Sequence, residues 1–104
     1  KVDFLMKVED YNKLETLCSP RPVSACIRDA IDLWLAMVES GQLDPNPSVY
    51  HKFPIRNRRI VWFMINEDKY NKFIEECRKI GYEAIAFCLR DCVKSWLKNH
   101  EKGV

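Results

Sequence analysis

The sequence predicts a mainly α-helical domain with a two-stranded antiparallel ribbon, built from two strand–helix–helix units that form a pseudo-twofold domain. A ten-residue stretch beginning at Cys26 returns at Cys88 with Cys, Arg, Asp, Trp and Leu at identical spacing. Both copies have the apolar periodicity of an amphipathic helix. Because such self-similarity marks one supersecondary unit used twice, we divide the chain into a first unit (1–40), a connector (41–58) and a second unit (59–104).

The first unit begins with a predicted strand at residues 1–6, which are rich in strand formers. Its alternation places three apolar side chains on the core face: Val2, Phe4 and Met6. A helix is predicted from Val8, because the carboxylates that follow favour the positive end of a helix dipole. Segment 19–22 contains two prolines, so it ends this helix and begins a second one that extends to about Gly41.

The second unit repeats this order after a connector that contains three prolines and shows no periodicity. The predicted second strand is 60–65. Its core face carries Val61, Phe63 and Ile65. The next helix is predicted to start at 66–68 and to end at Gly81, and the last helix to run from 82 to about 99.

The alignment of the two units makes two further predictions. The repeat offset grows from 59 to 62 residues between Cys77 and Cys88, so the second unit has three more residues at its helix–helix turn. Trp34 and Trp96 occupy equivalent positions on the long second helices and are predicted to anchor the core. Alternation along the strands directs the remaining ribbon side chains outward: Asp3, Leu5, Trp62 and Met64.

Charge and hydropathy favour an intracellular protein. The formal net charge is +2; residues 1–40 carry five Lys or Arg against seven Asp or Glu, whereas 59–104 carry nine against seven. No apolar run approaches the roughly 18 residues of a membrane span, and no signal-peptide pattern is apparent. The five cysteines are an odd number without the spacing of a disulfide framework, so we expect the protein in the reducing interior of a cell.

The cysteines and histidines are interpreted as structural residues. Cys88 and Cys92 are four residues apart on one predicted helix, but tetrahedral zinc needs two more ligands, and no second pair has the usual spacing. Small buried core residues are the favoured interpretation of all the cysteines. Since no Gly-rich phosphate loop, activated nucleophile or paired-carboxylate pocket is apparent, we expect no enzyme, no metal, no cofactor and no small-molecule substrate.

Both units have the element order strand, helix, turn, helix, and similar residues occupy corresponding positions in them. In the first unit they are Phe4-Leu5-Met6, the helix at Tyr11 and the stretch 24–31 (SACIRDAI); in the second they are Phe63-Met64-Ile65, Tyr70 and Leu89-Arg90-Asp91. This pattern resembles the ribbon-helix-helix (MetJ/Arc-like) family of DNA-binding transcription regulators. Its members are usually obligate dimers whose strands form an antiparallel ribbon in the major groove. Two copies in one chain are similar to the tandem pseudo-dimers of some regulators of archaeal viruses. If the protein is viral, the expected intracellular location is the host cytoplasm.

The resemblance implies that double-stranded DNA is the partner, and that fused units could also self-associate along it. It assigns the base-facing positions of the ribbon to Lys1, Asp3, Leu5, Lys7, Trp62, Met64 and Asn66. It assigns phosphate contacts, at the second helix of each unit and beside the ribbon, to Arg21, Ser24, Arg56, Arg58, Arg59 and Lys79.

The apolar character of the ribbon leaves a second function open. Arg, Lys, Asn and Gln form bidentate contacts with base edges, whereas Asp only accepts hydrogen bonds and apolar groups only touch thymine methyls. Trp62 and Met64 could instead face another protein. The alternative is therefore a protein-interaction or antitoxin-like module that keeps the fold and binds a partner through the ribbon or the helices.

Overall fold

A computed structural model describes residues 2–42 and 57–101. Four helices and one two-stranded antiparallel sheet make up this part of the chain. The elements are β1 (Val2–Lys7), α1 (Val8–Cys18), α2 (Val23–Glu39), β2 (Arg58–Phe63), α3 (Glu67–Ile80) and α4 (Ile85–Glu101). The fold is therefore mainly α-helical with a ribbon, as the sequence predicts. None of the four described helices combines the length and apolar character that a bilayer crossing requires.

The two strands pair in one register along their whole length, from Val2 opposite Phe63 to Lys7 opposite Arg58. Because successive side chains of a strand point to opposite faces, this register gives the ribbon an inner and an outer face. The predicted core positions are buried at Phe4, Met6, Val61 and Phe63, while Val2 and Ile65 are half-buried and pack against the core. The predicted direction of the ribbon side chains is confirmed.

The core lies between the inner face of the ribbon and the helices, with α2 packed directly against α4. Trp34 on α2 is wholly buried and meets the rings of Phe73 and Tyr82 edge-on, with centroids 5.6 and 6.2 Å apart. Trp96 on α4 is also buried, and its ring stacks on that of His100 at 3.7 Å. Both tryptophans therefore anchor the core as predicted, although each has different aromatic neighbours.

One arginine on the second helix of each unit donates a hydrogen bond to the strand segment of the other unit. Arg28 on α2 donates from Nη1 to the carbonyl oxygen of Met64, just after β2, at 2.8 Å. Arg90 on α4 donates from Nη1 to the carbonyl oxygen of Leu5 in β1 at 3.0 Å. Charge-assisted hydrogen bonds of this kind are stronger than neutral ones, so they fix the ribbon relative to the helices.

The bounds of two elements, β2 and α4, differ from the prediction. β2 begins at Arg58 and ends at Phe63, whereas the sequence predicted 60–65, because β1 extends to Lys7 and supplies ladder partners back to Arg58. α4 begins at Ile85 and not at Tyr82. The backbone N–H of Tyr82 bonds to the carbonyl of Cys77 at 3.1 Å and so takes part in ending α3, where Gly81 adopts a φ of 110°.

The cysteines are buried as predicted, but four of them form disulfides, which the sequence analysis did not expect. Cys18 bonds to Cys26, and Cys77 bonds to Cys88, with Cα atoms 6.1 and 6.4 Å apart. Each disulfide connects the end of the first helix of a unit to the first turns of its second helix. The prediction of reduced thiols is wrong at these positions because packing of the two helices brings each pair into bonding distance.

Candidate nucleic-acid interface

The outer face of the ribbon is the most exposed apolar surface of the described residues. The exposed fractions of Ile60, Trp62 and Met64 are 67, 57 and 56%. Leu5, half-buried, lies directly opposite Ile60, and Asp3 lies opposite Trp62. Large apolar side chains exposed side by side indicate a contact surface for a ligand or partner.

Basic side chains lie at one end of this outer face. Lys7 and Arg58 are paired across the ribbon, and both are exposed. The backbone N–H of Val8 donates to the carbonyl oxygen of Asn57 at 2.7 Å, which holds the start of α1 beside the start of β2. Within the described residues, these two exposed cations at one end of the apolar strip make the charge of this surface unequal along its length.

Arg59 points in the opposite direction to Arg58, because strand alternation directs it to the inner side of the ribbon. Its guanidinium carbon lies 3.9 Å from the centroid of the Tyr11 ring on α1, a cation–π contact. The predicted basic cluster is therefore divided between the two faces, with Arg58 outward and Arg59 against α1. Lys1 and Arg56, which were predicted to contact DNA, lie outside the described residues.

Asn66 lies at the opposite end of the ribbon from Lys7 and caps α3. Its Oδ1 accepts hydrogen bonds from the backbone N–H groups of Asp68 at 2.9 Å and Lys69 at 3.3 Å. This is the usual role of Asn before the first turn of a helix. The carboxamide oxygen predicted to face a base is thus engaged within the protein.

The predicted phosphate contacts at the helix starts have acidic neighbours. At the start of α2, Arg21 forms a 2.8 Å ion pair with Asp29, while Ser24 is half-buried in the first turn. In the second unit, Lys79 pairs with Glu76 at 3.4 Å, near the end of α3. Because each cation is already paired with a carboxylate, these sites offer less charge to a phosphate than Lys7 and Arg58 do.

A part-buried polar pair that sequence reasoning missed connects Tyr82, which precedes α4, to Asp91 on α4. The Tyr82 hydroxyl donates to Oδ2 of Asp91 at 2.6 Å. Burial raises the pKa of Asp91 to about 6, although the nearby Lys94 opposes the shift. Burial also raises the pKa of Tyr82 to about 12, with a smaller contribution from Cys92. The repeat pointed to Asp91 through its equivalence to Asp29, but the second unit uses Tyr82 where the first uses Arg21.

The described residues contain no cluster of three or more His, Cys, Asp or Glu side chains that could hold a metal ion. Cys88, which with Cys92 formed the candidate metal-binding pair, is bonded to Cys77 in a disulfide. Burial raises the pKa of the remaining Cys92 thiol well above its usual range, so the thiol stays protonated and inert.

The comparisons with known proteins do not add a relative. No family model matches this chain, and no curated protein or solved structure matches it significantly. The function is therefore inferred from the shape, polarity and charge of the ribbon.

Proposed function

We propose that this protein is a DNA-binding transcription regulator that inserts its antiparallel ribbon into the major groove of duplex DNA. The observation that carries the proposal is an exposed two-stranded ribbon that ends in a cation pair, Lys7 and Arg58. The major groove, about 12 Å wide, admits a two-stranded ribbon, and its walls are lined by phosphates. In this proposal the protein acts by binding DNA and does not catalyse a reaction.

The proposal treats the chain as two ribbon-helix-helix units fused into a pseudo-dimer. The strand register supports it, because Asp3 pairs with Trp62, the residue 59 positions later that is its own repeat equivalent. A pseudo-twofold axis through this pair would exchange β1 with β2.

The arginine contacts support the same axis. Arg28 and Arg90 are repeat equivalents, and each donates to a carbonyl of the opposite strand, at Met64 and at Leu5, which are also equivalents. Each unit thus holds the strand of the other with the same type of hydrogen bond. Two contacts related in this way are expected of a fused dimer and are not required of an unrelated α-helical fold.

A rigid ribbon is what groove insertion needs. The inner face of the ribbon is buried against the core, and the two arginine contacts hold its backbone at both strands. Side chains on the outer face then approach base edges without a prior rearrangement, so little conformational entropy is lost on binding.

A second candidate function is a protein-interaction or antitoxin-like module. The observation that favours it is the exposure of three large apolar side chains, Ile60, Trp62 and Met64, on the outer face. Large exposed apolar patches mark protein interfaces as well as ligand sites. The two functions differ in their response to salt, because only phosphate neutralisation releases counterions from DNA.

The test is a titration of a mixed-sequence duplex at several salt concentrations. Each neutralised phosphate contributes about −0.9 to the slope of log K against log salt, so we expect a slope of several units. Arg58→Ala should reduce its magnitude by about one unit and weaken binding to all duplexes similarly. Lys98→Ala is the matched control, since this exposed cation lies in the last turn of α4, eight residues beyond Arg90.

Two results would contradict the proposal. Absence of duplex binding at low salt would favour the protein-partner function. An unchanged slope in Arg58→Ala, or an equal loss in Lys98→Ala, would mean that DNA binds away from the end of the ribbon.

A further inference from the structure

We infer that the outer face of the ribbon recognises thymine methyl groups in an asymmetric duplex site, which the protein binds in one orientation. This inference rests on the proposed DNA-binding function and specifies the class of DNA that the ribbon selects. It is carried by the polarity of the outer face, by the difference between its two strands and by the position of its cations.

The first step is the composition of the outer face. Leu5 and Ile60 form a cross-strand pair, and the apolar strip continues through Trp62 in β2 to Met64 just after it. Apart from Asp3, the described side chains in this middle section have no carboxylate, amide or guanidinium group that could bond to a base edge. Recognition by bidentate hydrogen bonds is therefore confined to the ends of the ribbon.

The second step is the chemistry of the groove. The C5 methyl of thymine is the apolar feature by which base edges in the major groove differ, and it distinguishes A·T from T·A. An apolar side chain placed there gains free energy by burying the methyl group and gains nothing against a polar edge. Asp3 can accept a hydrogen bond from the N4 amino group of cytosine. The bases under the apolar strip should therefore be rich in thymine, with a cytosine under Asp3.

The third step is the asymmetry of the ribbon. In a homodimer, equivalent outer positions carry identical residues and select a palindromic site. Here the equivalent positions differ, with Asp3 opposite Trp62 and with Leu5 equivalent to Met64. Among the described residues, the cations Lys7 and Arg58 lie at one end, whereas Asn66 at the other end uses its carboxamide oxygen to cap α3. The two directions of binding are therefore energetically different.

Charge complementarity favours DNA over a second copy of the chain as the occupant of this face. Among the described residues, the outer face presents two cations, Lys7 and Arg58, and one anion, Asp3. A second copy would bring the same cation pair and a single carboxylate to the contact. Phosphates and guanine O6 and N7 are anionic or electron-rich partners for both cations.

The test begins with selection of duplexes from a randomised library by the intact chain. In the enriched site, each thymine is replaced in turn by uracil, which removes the C5 methyl group and leaves every base-pairing group unchanged. We expect at least two replacements to weaken binding, each roughly fourfold, the equivalent of one lost buried methylene-sized group. We also expect the enriched sequence to be non-palindromic, and a probe on the exposed Glu9, two residues after Lys7, to label only one end of it.

Direct contact is tested by combining protein and DNA changes. Met64→Ala should remove most of the penalty at one uracil position, so that the two changes together cost less than their sum. Met37→Ala is the matched control, because it is the same substitution on α2, nine residues beyond the arginine that contacts the ribbon. Both variants are first compared with the parent protein by circular dichroism. Ile60→Ala and Trp62→Ala extend the measurement along the strip.

The outcomes separate this inference from the proposed function. If duplexes are enriched but no uracil replacement changes affinity, or the site is palindromic and bound in both directions, the methyl-directed inference is wrong and DNA binding stands. If no duplex is enriched, both are wrong. If the chain instead dimerises and Ile60→Ala dissociates the dimer, the face is an interface between copies and both are again wrong.

Discussion

At the scale of single residues, the pair formed by Tyr82 and Asp91 couples a proton to the packing of α3 against α4. The hydroxyl of Tyr82, just after α3, donates to the carboxylate of Asp91 on α4 at 2.6 Å. Burial disfavours the charged carboxylate and raises the pKa of Asp91 from 3.8 to about 6. Because the folded state holds the Asp91 proton more tightly than the unfolded state, folding takes up a proton between these two pH values.

This linkage predicts a pH-dependent stability. The contribution of Asp91 is fully present below about pH 4 and is lost as the pH rises through its folded-state pKa of about 6. We expect the free energy of unfolding to fall by about 1 kcal/mol across this range, a value discounted for the solvent that reaches the carboxylate. Asp91→Asn should remove this part of the profile in urea titrations at pH 4 to 7.

A second variant tests the sign of the effect. The ammonium group of Lys94 lowers the pKa of Asp91, so Lys94→Met should move the loss of stability to higher pH. A profile for Asp91→Asn that parallels the parent protein throughout would show that Asp91 does not take up the proton.

At the scale of the elements, the disulfides join the two helices of each unit. Cys18 and Cys26 are separated by 8 residues and Cys77 and Cys88 by 11. Closing loops of this size stabilises a fold by about 2–3 kcal/mol in the chain-entropy model. The two bonds therefore contribute a substantial part of the stability of a small domain, which is typically about 5–15 kcal/mol.

The pairing predicts a labelling result. In protein purified without reductant and then denatured, alkylation should modify Cys92 alone of the five cysteines. The double variant Cys18→Ala/Cys26→Ala should unfold with a free energy about 2–3 kcal/mol lower. Cys92→Ala is the control, which should abolish labelling and keep both bonds. Modification of all five cysteines in the parent protein would contradict the pairing.

The same elements show what could be predicted from the sequence. Period-two alternation correctly predicted which side chains of the two strands point inward and which point outward, because burial of one face fixes the register. The disulfides could not be predicted, since connectivity depends on how the helices pack and not on spacing alone. The start of α4 was missed because the backbone of Tyr82 is already used to end α3.

The candidate site also has features that could be predicted from the sequence and features that could not. The outward positions, including Asp3 and Trp62, follow from strand alternation and were predictable. The roles of Arg59 and Asn66 were not, because they depend on partners that the pattern does not reveal. Arg59 stacks on Tyr11, which is distant in sequence, and Asn66 caps the helix that follows it.

At the scale of the whole molecule, the two units share one core. β1 has β2 as its ladder partner, and α2 packs against α4 of the other unit. The arginine contacts from Arg28 to Met64 and from Arg90 to Leu5 also cross between the units. A strand without its partner exposes unpaired backbone N–H and C=O groups, and a pair of helices alone leaves its apolar face in water. Neither unit should therefore be stable by itself.

This organisation predicts fragment complementation. Residues 1–42 and 57–104, prepared separately, should each lack a cooperative thermal transition and should regain one when mixed in equal amounts. Because folding is then bimolecular, the melting temperature of the mixture should rise with concentration, whereas that of the intact chain should not. Arg90→Ala in the second fragment should weaken the complex, since it leaves the carbonyl of Leu5 without its charged donor. Lys98→Ala in the same fragment is the matched control and should leave the association unchanged. A cooperative transition in the isolated first fragment would show that each unit has a core of its own.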